Sequence, residues 1–66
     1  MLLASFVKYR RSETGLTQQE LAEKAGVGLR FVRDLEQGKE TLRLDKLNQV
    51  LKLFGCEAGP VPINRT

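Results

Sequence analysis

Residues 15–39 read Gly15-Leu16-Thr17-Gln18-Gln19-Glu20-Leu21-Ala22-Glu23-Lys24-Ala25-Gly26-Val27-Gly28-Leu29-Arg30-Phe31-Val32-Arg33-Asp34-Leu35-Glu36-Gln37-Gly38-Lys39. This stretch holds two short amphipathic segments separated only by Gly26-Val27-Gly28. In the first, Thr17 is a candidate N-cap and Glu20 stands three residues on, which is the capping-box spacing. Leu21, Ala22 and Ala25 then form an inner stripe, and Gly26 stops the helix. The second segment opens after Gly28 and closes at Gly38, a residue suited to the left-handed position beyond a helix end.

Plotted at about 100° per residue, Phe31, Val32 and Leu35 of the second segment share one side and predict a buried stripe. Leu29, Arg30, Arg33, Asp34 and Gln37 fall on the opposite side. That side offers two guanidinium groups, an amide and a carboxylate, all able to reach base edges in a major groove. Two short helices about a glycine turn are also the spacing of a helix-turn-helix, whose second member enters the major groove. A plain helical hairpin with a solvated face has the same spacing, so the pattern permits base readout without requiring it.

Outward from this pair, Leu3, Phe6 and Val7 share a face and predict a first helix over about residues 2–13, ended by Thr14-Gly15. Leu44, Leu47, Val50, Leu51 and Phe54 recur at i, i+3, i+4 and i+7 and predict a fourth helix over about residues 44–54. Both prolines, Pro60 and Pro62, lie beyond Gly55. The apolar tail is therefore expected as an edge strand or extended arm. The expected division is a helical domain over residues 1–55 and a tail over 56–66, an all-α fold of four compact helices with one short strand.

Sixty-six residues fit one domain with a marginal core. Eleven Lys and Arg against eight Asp and Glu give a formal charge of +3, which favours an anionic partner. With no histidine and a single cysteine, Cys56, a metal site, a cofactor site and the usual nucleophile–base pairs are not expected. One cysteine forms no internal disulfide and fits the reducing cytoplasm. No apolar run approaches the roughly 18 residues of a membrane span, so no membrane association is expected.

The run "GLTQQELAEKAGV" (15–27), followed by Leu35-Glu36-Gln37-Gly38-Lys39, Leu44, Leu47 and Phe54-Gly55, resembles the Xre/Cro-type helix-turn-helix regulators over about residues 3–55. Within that family the chain is most similar to short HipB-type antitoxins. The grounds are four helices only, Phe31 in the recognition helix, Arg43-Leu44-Asp45-Lys46 opening the fourth helix, and an apolar tail in place of a fifth. The resemblance implies a four-helix lambda-repressor-like domain. It implies phosphate contacts from Gln18, Gly28, Lys39 and Arg43, and base-edge contacts from Leu29, Arg30, Arg33 and Asp34. Asp34 has an alternative role, orienting Arg30 four residues earlier. A semi-buried ion pair between Arg11 and Glu36 is also implied. Two positions depart from the family pattern: Gly28 replaces the usual Ser or Thr cap, and Phe31 replaces a small polar residue and is expected to pack inward.

The resemblance further implies a homodimer on double-stranded DNA carrying an inverted-repeat operator, joined through Leu53, Phe54, Val61 and Ile63. It also implies a HipA-like serine/threonine kinase toxin as partner. Three functions remain open from sequence: an antitoxin that represses its own operon, a free-standing phage-like or housekeeping repressor, and a protein-interaction module with little DNA binding.

Overall fold

Thr17 starts its helix as the capping-box spacing predicts. Its Oγ1 accepts from the backbone N–H of Glu20 at 3.0 Å, and its own backbone N–H donates to Glu20 Oε1 at 2.8 Å. The reciprocal pair satisfies two donors that a helix start otherwise leaves open. Nine residues after Thr17, Gly26, at φ +76°, turns the chain out of the helix, and the N–H groups of Gly26 and Val27 both return to the Ala22 carbonyl. A side chain is disfavoured at that φ, so the glycine is what lets the next helix begin three residues on, at Leu29.

The computed structural model describes residues 3–55. Its helices in chain order are α1 (Leu3–Glu13), α2 (Gln18–Ala25), α3 (Leu29–Glu36) and α4 (Leu44–Lys52), with no strand among the described residues. The fold is all-α. The strand or arm expected over residues 56–66, together with Cys56, Val61 and Ile63, lies outside the described residues.

Each helix contributes to one core. Val7 from α1, Leu21 from α2, Val32 and Leu35 from α3 and Val50 from α4 are essentially sealed from solvent. Ala22, Ala25, Leu47, Leu51 and Phe54 complete the buried cluster. Fully burying a Leu, Val or Phe side chain contributes about 1.5–3 kcal/mol relative to exposure, so these few residues carry much of the stability of so small a domain. The helix α3 packs on both α1 and α2, and α2 also packs on α4. The Gln49 carboxamide of α4 donates to the Ala25 carbonyl at 3.3 Å, tying α4 to the end of α2.

The expected boundaries shift at two ends. The helix α3 ends at Glu36 rather than running on toward Gly38, because Gly38 at φ +85° reverses the chain and Lys39 N–H returns to the Asp34 carbonyl. The fourth helix was expected to reach Phe54, but α4 ends at Lys52. Leu53, Phe54 and Gly55 instead bond to carbonyls three residues back, a tightened last turn.

Phe54, expected in a dimer contact, is 8 % exposed within its own protomer. The Arg10 guanidinium lies over its ring at 5.3 Å and over Phe6 at 5.9 Å, so this end of the core is covered by a cation. Leu53, from the same expectation, is 42 % exposed.

Candidate nucleic-acid interface

The recognition-helix candidate α3 is held from one side. Val32 and Leu35 are buried in the core and Phe31 is half-buried against it. Arg30, Arg33 and Gln37 are exposed, and Leu29 and Asp34 are half-buried. Among the described residues neither Arg30 nor Arg33 has a carboxylate within ion-pair distance. Two arginines on a rigid, solvent-facing helix side keep all their guanidinium donors available for an incoming acceptor.

Asp34 does not orient Arg30. Its carboxylate lies 3.5 Å from Lys39 Nζ. The physical reason is the Gly38 reversal, which brings the Lys39 backbone N–H onto the Asp34 carbonyl at 3.0 Å and delivers the ammonium to the same residue. Arg43 likewise meets Asp45, through Nη2 at 2.8 Å and Nε at 3.2 Å. The Arg43 hydrogen bonds hold the Asp45 carboxyl below its usual range. The Arg43–Asp45 pair is largely exposed and the Lys39–Asp34 pair partly so, and exposed pairs contribute only about 0–1 kcal/mol.

At the start of α2, Thr17 and Glu20 form the capping box, whose backbone hydrogen bond from Thr17 lowers the Glu20 carboxyl from its ordinary range. Gln18, the first residue of α2, is half-buried, and its Nε2 donates to Glu36 Oε1 at 3.0 Å. Gly28 caps α3 with no side-chain hydrogen bond, at an extended φ of −77°, and lies exposed beside Leu29.

Arg11 and Glu36 meet across α1 and α3. Arg11 Nε donates to Glu36 Oε2 at 2.6 Å and Nη2 donates to Oε1 at 3.0 Å, a two-pronged pair, while Nη1 donates to the Leu16 carbonyl at 2.9 Å. Glu36 is 4 % exposed. Burial pushes its carboxyl upward. The hydrogen bonds from Arg11 and Gln18, with the charges of Arg11 and Lys8, outweigh burial and leave it below the ordinary range.

Sequence reasoning missed two contacts. Arg10 stacks over Phe6 and Phe54; Phe6 lies four residues earlier, so helical spacing could have shown half of that contact. The bond from Gln18 to Glu36 spans 18 residues and has no local signal. No helix among the described residues is long and apolar enough to cross a membrane.

Comparison with known proteins agrees with this geometry. A family model described as Helix-turn-helix matches residues 7–60. The chain is 50 % identical over 54 residues to an uncharacterized HTH-type transcriptional regulator, y4mF, of Sinorhizobium fredii, covering 82 % of this chain and 71 % of that protein. It is 33 % identical over 55 residues to an uncharacterized HTH-type transcriptional regulator of Methanothermobacter thermautotrophicus, covering 83 % and 80 % respectively.

Proposed function

The chain belongs to the Xre-type helix-turn-helix family, and we propose that it is a sequence-specific repressor that binds an inverted-repeat operator as a homodimer. The observation that carries this reading is the exposed, carboxylate-free pair Arg30 and Arg33 on a helix whose other side is locked by Val32 and Leu35. A guanidinium to guanine O6 and N7 is the commonest specific base contact. In this reading Arg30 and Arg33 take guanines, Leu29 a thymine methyl, and Asp34 a cytosine amino group. Gln18, Gly28, Lys39 and Arg43 set the register on phosphates.

One recognition helix reads too few base pairs for specificity, so two copies sit on half-sites about one helical turn apart. Exposed Leu53, with Val61 and Ile63 of the tail, forms the dimer contact, residues 1–55 being the reading domain. The protein works in the cytoplasm on nucleoid DNA. Its similarity to HipB-type proteins extends the proposal to an antitoxin that represses its own operon and restrains a HipA-like kinase toxin.

The test is selection of bound duplexes from a random pool, followed by affinity measured against salt. The expected product is a palindromic pair of half-sites, with log affinity falling along log salt by about 0.9 per phosphate contacted. Affinity that ignores both sequence and salt refutes the repressor and leaves an interaction module. Capture of a kinase-fold protein supports the antitoxin, and its absence beside intact operator binding leaves a free-standing repressor.

A further inference from the structure

Glu36 receives more than its charge requires. A buried carboxylate needs a counter-charge and good hydrogen bonds, and the Arg11 fork supplies both through Nε and Nη2. A third donor, Gln18 Nε2, also reaches Glu36 Oε1 at 3.0 Å. This bond comes from the first residue of α2 and ends on the last residue of α3.

Its chemistry fixes an orientation. A carboxamide has one accepting and one donating end, whereas an ionised carboxylate only accepts. Glu36 therefore turns the NH2 end of Gln18 toward itself, commits one N–H, and leaves the second as the donor available to a phosphate oxygen. We propose that Glu36 is a positioning residue for DNA: it presets the Gln18 amide and joins the backbone contact at the start of α2 to the base-reading helix α3. The two elements then dock as one body. The inference rests on the DNA-binding reading above. A preset side chain spares the ordering cost that a free glutamine incurs on binding.

The experiment is a mutant cycle on the full chain with the selected operator duplex. Gln18→Ala is made in the parent and in an Arg11→Met/Glu36→Leu background. That background replaces the ion pair with apolar groups, a change proteins often tolerate, and removes one charge of each sign, leaving the net charge at +3. In the parent, Gln18→Ala should weaken binding about tenfold, the loss of one hydrogen bond to a charged oxygen. In the background the same substitution should cost less than about twofold, because Gln18 is no longer held. The salt slope should not change, since Gln18 carries no charge.

A tenfold loss in both contexts, or no loss in the parent, overturns the positioning role. A parent that binds no duplex refutes the DNA-binding reading instead. Should the apolar background fail to fold, side-chain NMR on the free parent decides. A Gln18 amide order parameter well above about 0.6 supports the tether, and a value below it, the range of flexible groups, overturns it.

Discussion

Arg11→Met should destabilise this domain far more than its partial exposure suggests. The side chain is 20 % exposed and its partner Glu36 only 2 %. Methionine fills much of the volume but removes both prongs to Glu36 and the bond to the Leu16 carbonyl. Of the side-chain hydrogen bonds to Glu36, the one from Gln18 remains, on a carboxylate that has lost its counter-charge. Breaking a buried pair from one side costs about 3–5 kcal/mol. For a domain this small each kcal/mol moves the melting temperature by about 4–8 °C, so the fall should be at least about 12 °C. Lys8→Met, also on α1 but exposed, should stay within about ±0.5 kcal/mol. Circular-dichroism melts of both variants at neutral pH make the comparison. Equal shifts, or an Arg11→Met shift within about 4 °C, would refute the reasoning.

The same variant carries a pH signature whose sign follows from the carboxyl. In the parent, burial is outweighed by the hydrogen bonds from Arg11 and Gln18, which hold the Glu36 carboxyl below the ordinary glutamate value of 4.5. Its stabilisation is therefore complete above that pH and is lost as pH falls through the lower folded value. In Arg11→Met, burial acts without the guanidinium and raises the folded value, so protonation relieves the buried charge. The gap in melting temperature between parent and variant should narrow as pH falls through the ordinary carboxylate range. A gap that widens there would place the effect in packing rather than charge.

Three further outcomes are expected. Thr17→Ala removes the Oγ1 acceptor of the capping box and should cost about 0.5–2 kcal/mol in urea unfolding. Gly26→Ala meets φ +76° and places its Cβ 3.4 Å from Gln49 Nε2; strain at that φ should cost about 1–2 kcal/mol in the same assay. In operator binding, Arg33→Ala should cost about 1–3 kcal/mol and relax preference at one base, while Lys39→Ala should weaken all duplexes alike and flatten the salt slope by about one. An Arg33→Ala protein with unchanged preference would remove Arg33 from base reading.

What the sequence made legible was local. The Thr17–Glu20 capping box, the Gly26 stop and the split of α3 into buried and open sides all depend on residues within a turn or two of one another, where backbone geometry alone sets the contacts. Most core residues on each helix followed for the same reason, but Leu3 and Leu44, first on their apolar stripes, are exposed because each stands at a helix start with no neighbour among the described residues to cover it. What escaped depended on how helices meet. Phe54 lies at the end of a regular apolar pattern, and nothing in that pattern tells whether its ring faces a second copy or Arg10 of the same chain. Asp34 is equally near Arg30 by helical spacing and Lys39 by chain reversal; the geometry after Gly38 decides, and helical periodicity does not contain it.

The ion pairs on the proposed DNA face bear on how such a surface could open to phosphate. Lys39 is 51 % exposed beside Asp34, and Arg43 is 69 % exposed beside Asp45. Pairs this wet contribute about 0–1 kcal/mol, so a duplex need offer little to draw either cation away, and counterion release from the phosphates favours the exchange. Arg11 is the opposite case: its pair with Glu36 is buried, and exchange would strand the carboxylate at a cost of several kcal/mol. The cations therefore divide by burial into those a phosphate can recruit and one that it cannot. Arg30 and Arg33, with no carboxylate in ion-pair reach among the described residues, have no ion pair to break, so the water they shed is what their contacts with base edges must replace.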